Sequence, residues 1–353
     1  MVLNYIGSKK KLLNLLDHII TTYCKIDSNK KIVFGDLLAG TCIVSNYFSN
    51  RFDVVCNDIE QYSYCIGYAL LKSVYNENIQ KKIESLNKLE PVEGQIYKNY
   101  APHENTNNNY ENNRQFFTPE NAKRCDAMRQ KINEWFHNGE INQDEYLYLL
   151  ACIISDTDKI ANTASIYGAY LKDYKKSAIL PLILTPIHKK NNIVNKHTIL
   201  NKDINDILDI EYDIVYIDPP YNNRQYGSNY HVLNYIYKYD SNIELYGKTG
   251  LIKDYFKSSF CRKDQAYDEL NNIIKNIKAR YVLISYNNEG ILSIKNIQNI
   301  LSQRGIVTTF QCFYKKYKSQ KNQSDEFVTE YVHLVKINDT EKFINKNFKI
   351  IEF

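Results

Sequence analysis

Asp218-Pro219-Pro220-Tyr221 is the run of residues in this chain best equipped for chemistry. It follows Asp213-Ile-Val-Tyr-Ile217, an apolar, β-branched and aromatic segment that reads as a buried strand ended by prolines. The four residues therefore sit at the carboxyl end of a strand, where open α/β sheets place their ligands. Two prolines fix the backbone and remove two N–H donors, which leaves the carbonyls beside them to accept hydrogen bonds from an amine. Asp218 adds an anionic acceptor, and Tyr221 an aromatic face on which a planar group can stack. The combination suits an exocyclic amino group on a flat heterocycle. Taken alone, it also reads as a strand ending in a proline turn with a capping aspartate.

Three more carboxylates stand at expected strand ends. Phe34–Val44 reads as a strand, a small-residue turn and a helix. A tight turn through Ala39, Gly40 and Thr41 lets backbone N–H groups approach a cofactor, and Asp36 offers a carboxylate to a cationic or amino group. Asp58 ends the next strand, where its carboxylate could accept hydrogen bonds from ribose hydroxyls or cap a helix. Asp203, ending the third strand, is similar. Coincidence explains three successive strand-end carboxylates followed by Asp-Pro-Pro-Tyr poorly.

The elements that must position these groups alternate along the chain. Strand signals fall at 31–38, 53–58, 197–203, 213–219, 280–287, 308–317 and 327–336. Helical periodicity covers 9–23, roughly 45 residues after the second strand, 119–137, 143–160, 264–278 and 293–303. Such alternation predicts an α/β fold with a doubly wound, mainly parallel sheet. The last two strands, joined without a helix, should form a C-terminal antiparallel hairpin. Residues 62–196 form a largely helical insertion between the second and third strands, so 1–61 and 197–353 make up the catalytic domain.

Composition narrows the class. The 353 residues are 44% hydrophobic and 24% charged, as in a soluble globular protein. No apolar run is long enough to span a membrane, and the N-terminus lacks a signal-peptide pattern. Eight cysteines without a Cys-x-x-Cys pair fit reduced thiols in the cytoplasm, and no Cys/His cluster has metal-binding spacing. A net charge of +5 permits a nucleic-acid partner without demanding one.

Together these residues resemble the S-adenosylmethionine-dependent DNA adenine-N6 methyltransferases of the alpha motif order, the Dam-like class. Tyr5-Ile-Gly-Ser-Lys9 resembles that family's N-terminal cofactor motif, in which Lys9 and Tyr5 would flank the methionine part. Phe34–Val44 resembles the glycine-containing motif, with Cys42 standing where a second glycine is common. Asn57-Asp58, with Ile59 following, resembles the ribose-binding segment, and Asp203 the acid before the catalytic strand. Asp218–Tyr221 matches the catalytic motif. The runs 117–124, 222–231 and 283–290 resemble a subgroup of type II modification enzymes.

The resemblance implies a Rossmann-like enzyme that transfers methyl groups to adenine N6 in flipped-out bases of double-stranded DNA. It also implies S-adenosylmethionine as cofactor, a cognate restriction endonuclease in the same system, and a cytoplasmic, nucleoid-associated site of action. Asp218 and the Pro219 carbonyl would accept from the target amine, Pro220 would shape the turn, and Tyr221 would stack on the base. Arg224, Gln225, Tyr226, Asn229 and His231 are candidate DNA contacts, with His231 equally readable as a satisfied core histidine. Lys315, Lys316 and Lys318 on the hairpin are candidate phosphate contacts. Arg114, Arg124, Lys172, Lys175 and Lys176 are candidates for target recognition in the insertion. Rival readings are methylation of cytosine N4, RNA adenine or protein glutamine, and a catalytically silent DNA-binding module.

Overall fold

Among the residues described by the computed structural model (3–27, 29–72, 74–102, 113–187, 195–315, 327–338 and 349–352), eight strands form one sheet. They are β1 (Val33–Asp36), β2 (Asp53–Asn57), β3 (Thr198–Leu200), β4 (Tyr212–Ile217), β5 (Ala279–Asn287), β6 (Val307–Lys315), β7 (Phe327–Lys336) and β8 (Lys349–Glu352). Their spatial order is β8-β6-β7-β5-β4-β1-β2-β3. Neighbours run parallel except at β7, which is antiparallel to both β5 and β6. The expected hairpin is present, with its ladder running from Val307 opposite Val335 to Lys315 opposite Phe327.

The alternation of side chains in the strands makes both faces of the sheet into cores. Phe34, Ile214, Tyr216, Leu283 and Val332 bury into one cluster, and Val215, Ile217, Val282, Ile284 and Val335 into the other. The first face is covered by α1 (Leu13–Tyr23), α2 (Ile43–Phe48), α3 (Gln61–Leu71), α4 (Glu77–Leu86), α5 (Gln95–Tyr100), α6 (Pro119–His137) and α7 (Gln143–Ile160). After β4, α8 (Tyr226–Asn229) and α9 (His231–Lys238) follow, with α9 joining the same cluster. α10 (Ala266–Asn276) and α11 (Ile294–Leu301) cover the second face.

The helices between β2 and β3 share this core with the sheet. α6 starts at Thr118, whose side chain accepts from the Asn121 N–H, with Pro119 in the first turn. α7 starts with an Asn142/Glu145 capping box. Its residues Leu147–Asp158 are buried without a break because α3, α6 and α9 surround it, so it shows no polar face.

Three features differ from the sequence pattern. The 9–23 helix splits into a 3₁₀ turn at Lys9–Leu12 and α1. α8 and α9 occupy a stretch whose aromatic and Asn content hid its helical period, and β8 adds an edge strand beyond the hairpin. A small antiparallel ribbon joins Leu245–Tyr246 to Leu251–Ile252. No described helix is long and apolar enough to cross a membrane.

Candidate active site

Strand order reverses between β1 and β4, which leaves a crevice at their carboxyl ends. A cavity of about 220 Å³ lies there, lined by Tyr5, Lys9, Asp36, Ala39, Gly40, Thr41, Asp58, Ile59, Asp203, Asp218 and Pro220 among others. Residues far apart in the chain meet because parallel strands deliver their carboxyl ends to one edge.

The turn after β1 builds one wall. The Ala39 N–H donates to the Asn57 carbonyl at 3.0 Å, and the Gly40 N–H to Asp58 Oδ2 at 2.7 Å. Gly40 has φ +52°, and a Cβ there would meet the Tyr5 ring at 3.1 Å, so glycine is needed for both conformation and space. Cys42, where the resemblance leads one to look for a second glycine, adopts φ 56° with its thiol fully buried. The turn thus keeps its left-handed step without a glycine.

Carboxylates crowd this wall. Asp36 Oδ2 accepts from the Ser45 N–H (3.0 Å) and hydroxyl (2.7 Å), and burial still pushes its pKa up to about 7. Asp58 Oδ1 accepts from the Glu60 N–H at 2.8 Å, and burial raises its pKa as well. Glu60 Oε2 accepts from Asn234 Nδ2 at 2.5 Å; burial and the Asp58 charge push it to about 7. Asp203 lines the cavity but also caps the following 3₁₀ turn, accepting from the Asn205 N–H at 2.9 Å.

Aromatic rings close the opposite wall. Tyr5 stacks on Tyr230 at 4.6 Å and on Tyr226 at 5.4 Å between ring centroids, and its hydroxyl meets that of Tyr62 at 3.2 Å. Two hydrogen bonds hold the segment: the Asn4 N–H donates to Asp158 and the Ile6 N–H to the Tyr230 hydroxyl.

At the end of β4, Lys9 Nζ lies 2.9 Å from Asp218 Oδ2 and also donates to the Gly7 carbonyl at 3.0 Å. Ser285 Oγ donates to Asp218 Oδ1 at 2.8 Å, so the Tyr216 hydroxyl, 2.7 Å away, donates to Ser285. Burial pulls the Lys9 pKa down, but the charges of Asp218 and Glu330 outweigh it and hold it above the ordinary lysine value. Tyr221, half-buried, sits edge-on to Tyr286 at 6.4 Å with Lys9 Nζ 5.8 Å from its ring centre.

The candidate DNA contacts separate. Arg224 is exposed. Gln225 bridges to the backbone of Ser258, and Tyr226 turns into the cavity against Tyr5. Asn229 lies in α8, its carbonyl accepting from the Tyr167 N–H at 2.7 Å. His231 is fully buried, with ring nitrogens 2.8 and 2.9 Å from the Ser228 and Thr249 carbonyls; it is a core histidine, and in the neutral form that burial favours it donates to one of the two. β6 ends at Lys315, while Lys316 and Lys318 lie outside the described residues.

In the insertion, Arg114 is buried against the Asn99, Gly247 and Lys248 carbonyls, and Arg124 donates to the Asn87 and Leu182 carbonyls. Lys175 donates to the Thr163 carbonyl. These three side chains, candidates for target recognition, fasten loops in this structure; Lys172 and Lys176 are exposed. Sequence reasoning missed Glu60, Tyr62, Tyr230, Asn234 and Glu330. Glu60, two residues past Asp58, and Glu330, the one carboxylate in the Phe327–Lys336 strand, each left a signal.

The family described as D12 class N6 adenine-specific DNA methyltransferase matches residues 5–300. The chain is 39% identical over 342 residues to the type II methyltransferase M.NlaIII of Neisseria lactamica, spanning 94% of this chain and 99% of that protein. It is 36% identical to the type II methyltransferase M.CviAII of Paramecium bursaria Chlorella virus 1, over 95% of this chain and 98% of that one. It is 37% identical to the type II methyltransferase M.FokI of Planomicrobium okeanokoites, over 94% of this chain and 52% of that protein. The family match begins at Tyr5 and runs through the turn after β1 and Asp218–Tyr221, and the chain belongs to the D12 class N6 adenine-specific DNA methyltransferases, site-specific enzymes whose methyl donor is S-adenosylmethionine.

Proposed function

We propose that the cavity between β1 and β4 is the methyl-donor site and that Asp218, at its mouth, receives the target adenine amine. The observation that carries this reading is the convergence of Tyr5, Gly40, Asp58 and Asp218 on one cavity. Its walls fit the donor's chemistry: buried carboxylates for hydroxyls and positive charge, aromatic rings for planar and cationic parts. Asp58 keeps acceptor capacity beyond its two N–H bonds, which suits ribose hydroxyls. When bound, S-adenosylmethionine supplies an electrophilic methyl group.

The protein's part is to make adenine N6 a nucleophile. That nitrogen's lone pair is delocalised into the ring, and positive charge grows on it as it rehybridises. Asp218, oriented by Ser285 Oγ, accepts one amino hydrogen and stabilises that charge; the Pro219 carbonyl accepts the other. One N6 proton then passes to solvent, which restores a neutral amine. Tyr221 stacks on the base and fixes its approach. A base inside a duplex is out of reach, so it is flipped into the site at a cost of a few kcal/mol.

The substrate is double-stranded DNA, and the enzyme works beside a cognate restriction endonuclease in the cytoplasm; the type II relatives support this reading. The helical insertion 62–196 carries much of the sequence recognition, with Lys172 and Lys176 exposed on it, and Lys315, Lys316 and Lys318 supply phosphate affinity. Asp218→Asn tests the central assignment, because it keeps the shape while removing the charge and adding a competing donor. Methyl transfer should fall by about 10²–10³ with folding and most donor affinity intact. Full activity at saturating substrates removes Asp218 from the mechanism.

A further inference from the structure

Before any target arrives, the Asp218 carboxylate is held by the Lys9 ammonium and the Ser285 hydroxyl. An amine that is to donate to Asp218 competes with Lys9 for it. Lys9 is 7% exposed, so moving its charge away without another partner is strongly disfavoured. β7 supplies that partner. Ser285 pairs with Val332 and Asn287 with Glu330, so the pleat puts Ser285, Asn287 and Glu330 on one face, at the edge where Asp218 lies. Among the described residues, no hydrogen bond or ion pair is formed by the half-buried Glu330 carboxylate. Burial raises its pKa, opposed by the Lys9 charge and reinforced by that of Asp218.

We propose that Glu330 is a positioning residue, the second carboxylate onto which the Lys9 ammonium shifts when the target amine takes its place at Asp218. The shift keeps Lys9 paired while freeing Asp218 to face the charge that grows on the amine. No covalent step is involved. This rests on the reading of Asp218 as the acceptor of that amine. The charged and titratable groups around Glu330 are Lys9 from the 3₁₀ turn, Tyr216, Asp218 and Tyr221 from β4 and its following loop, and Cys312 opposite on β6.

The test is the single-turnover rate of Glu330→Gln at saturating donor and DNA. At about pH 8 the variant should be about tenfold slower, with donor affinity by calorimetry unchanged within about twofold. Protonated Glu330 and glutamine are both neutral, so the wild-type to variant ratio should fall toward one as pH drops through the Glu330 titration. In a Lys9→Met background, Glu330→Gln should change the rate by less than about twofold. A ratio independent of pH, or a wild-type rate in Glu330→Gln, overturns the proposal even if Lys9→Met is too slow to measure. An active Asp218→Asn enzyme overturns the acceptor reading instead, so the two failures are distinguishable.

Discussion

Cys42 offers a direct measurement of how the donor-side turn is built. Its backbone is left-handed, at φ 56° and ψ 22°, and its side chain is fully buried. A non-glycine residue in that region costs about 1–2 kcal/mol, which glycine avoids. Glycine loses about 0.4–1 kcal/mol more chain freedom than alanine on folding. Cys42→Gly should therefore be more stable than Cys42→Ala by about 0.5–1 kcal/mol, the reverse of their usual order. Both variants lose the buried thiol, which lies 3.4 Å from the Ser63 carbonyl, at a cost of about 1 kcal/mol. Relief of strain nearly offsets this in Cys42→Gly, whereas Cys42→Ala keeps the strain and drops below wild type. Urea unfolding of the three proteins under reducing conditions reads the order directly. An alanine variant as stable as the glycine variant refutes the argument that the turn stores strain at Cys42.

Three other perturbations separate the site's parts. Asp58→Ala should weaken donor binding by about tenfold or more, through loss of a charged acceptor, with little effect on DNA affinity; unchanged calorimetry would detach Asp58 from the cofactor. Glu60 is pushed from 4.5 to about 7, so its contribution to stability is present below pH 4.5 and lost as pH rises through about 7. Glu60→Gln should match wild type near pH 4 and exceed it at pH 8 by up to about 3 kcal/mol in denaturant unfolding; a pH-independent difference contradicts this. His231→Ala, which removes the ring N–H donor from a buried carbonyl and empties its place in the core, should destabilise the fold by about 3 kcal/mol and leave site preference intact, as unfolding and DNA-binding assays on refolded protein would show.

Much of the sheet was legible because its strands are buried on both faces and carry short β-branched runs. Asp213–Ile217 is the clearest, and its register beside β1 and β5 follows from parallel crossovers. Helix starts were readable where capping chemistry was local, as at Thr118-Pro119. Contacts made by folding back were not. Arg114 and Arg124 read as recognition groups because their carbonyl partners lie 15 to 134 positions away, and periodicity reports nothing about such pairs, while His231 stayed open between core and DNA contact. The site was partly legible for the same reason: strand-end acids such as Asp58 announce themselves, while Tyr230, at the junction of α8 and α9, and Glu330, on β7, meet the site's Tyr5 and Lys9 only through folding. Cys42 shows the converse. Its identity put the turn conformation in question, yet the surrounding hydrogen bonds impose the left-handed step anyway.

The proposed donor cavity and the stability of the fold pull in opposite directions. Asp36, Asp58 and Glu60 are bonded in this structure by neutral donors: Ser45, the Gly40 and Glu60 N–H groups, and Asn234. Hydrogen bonds lower each carboxyl's pKa, but burial outweighs them and leaves all three raised. Apolar side chains at these positions would serve the fold better, since uncompensated buried charge is costly. A ligand that brings hydroxyls and positive charge reverses the balance, because it meets acceptors whose desolvation has already been met by folding. On the donor-site proposal, the crowding of acids on one wall serves affinity: part of the folding free energy is held at the strand ends as preorganisation for the donor. Asp218, tied instead to Lys9 and Ser285, stands outside this group, in keeping with its separate task at the target amine.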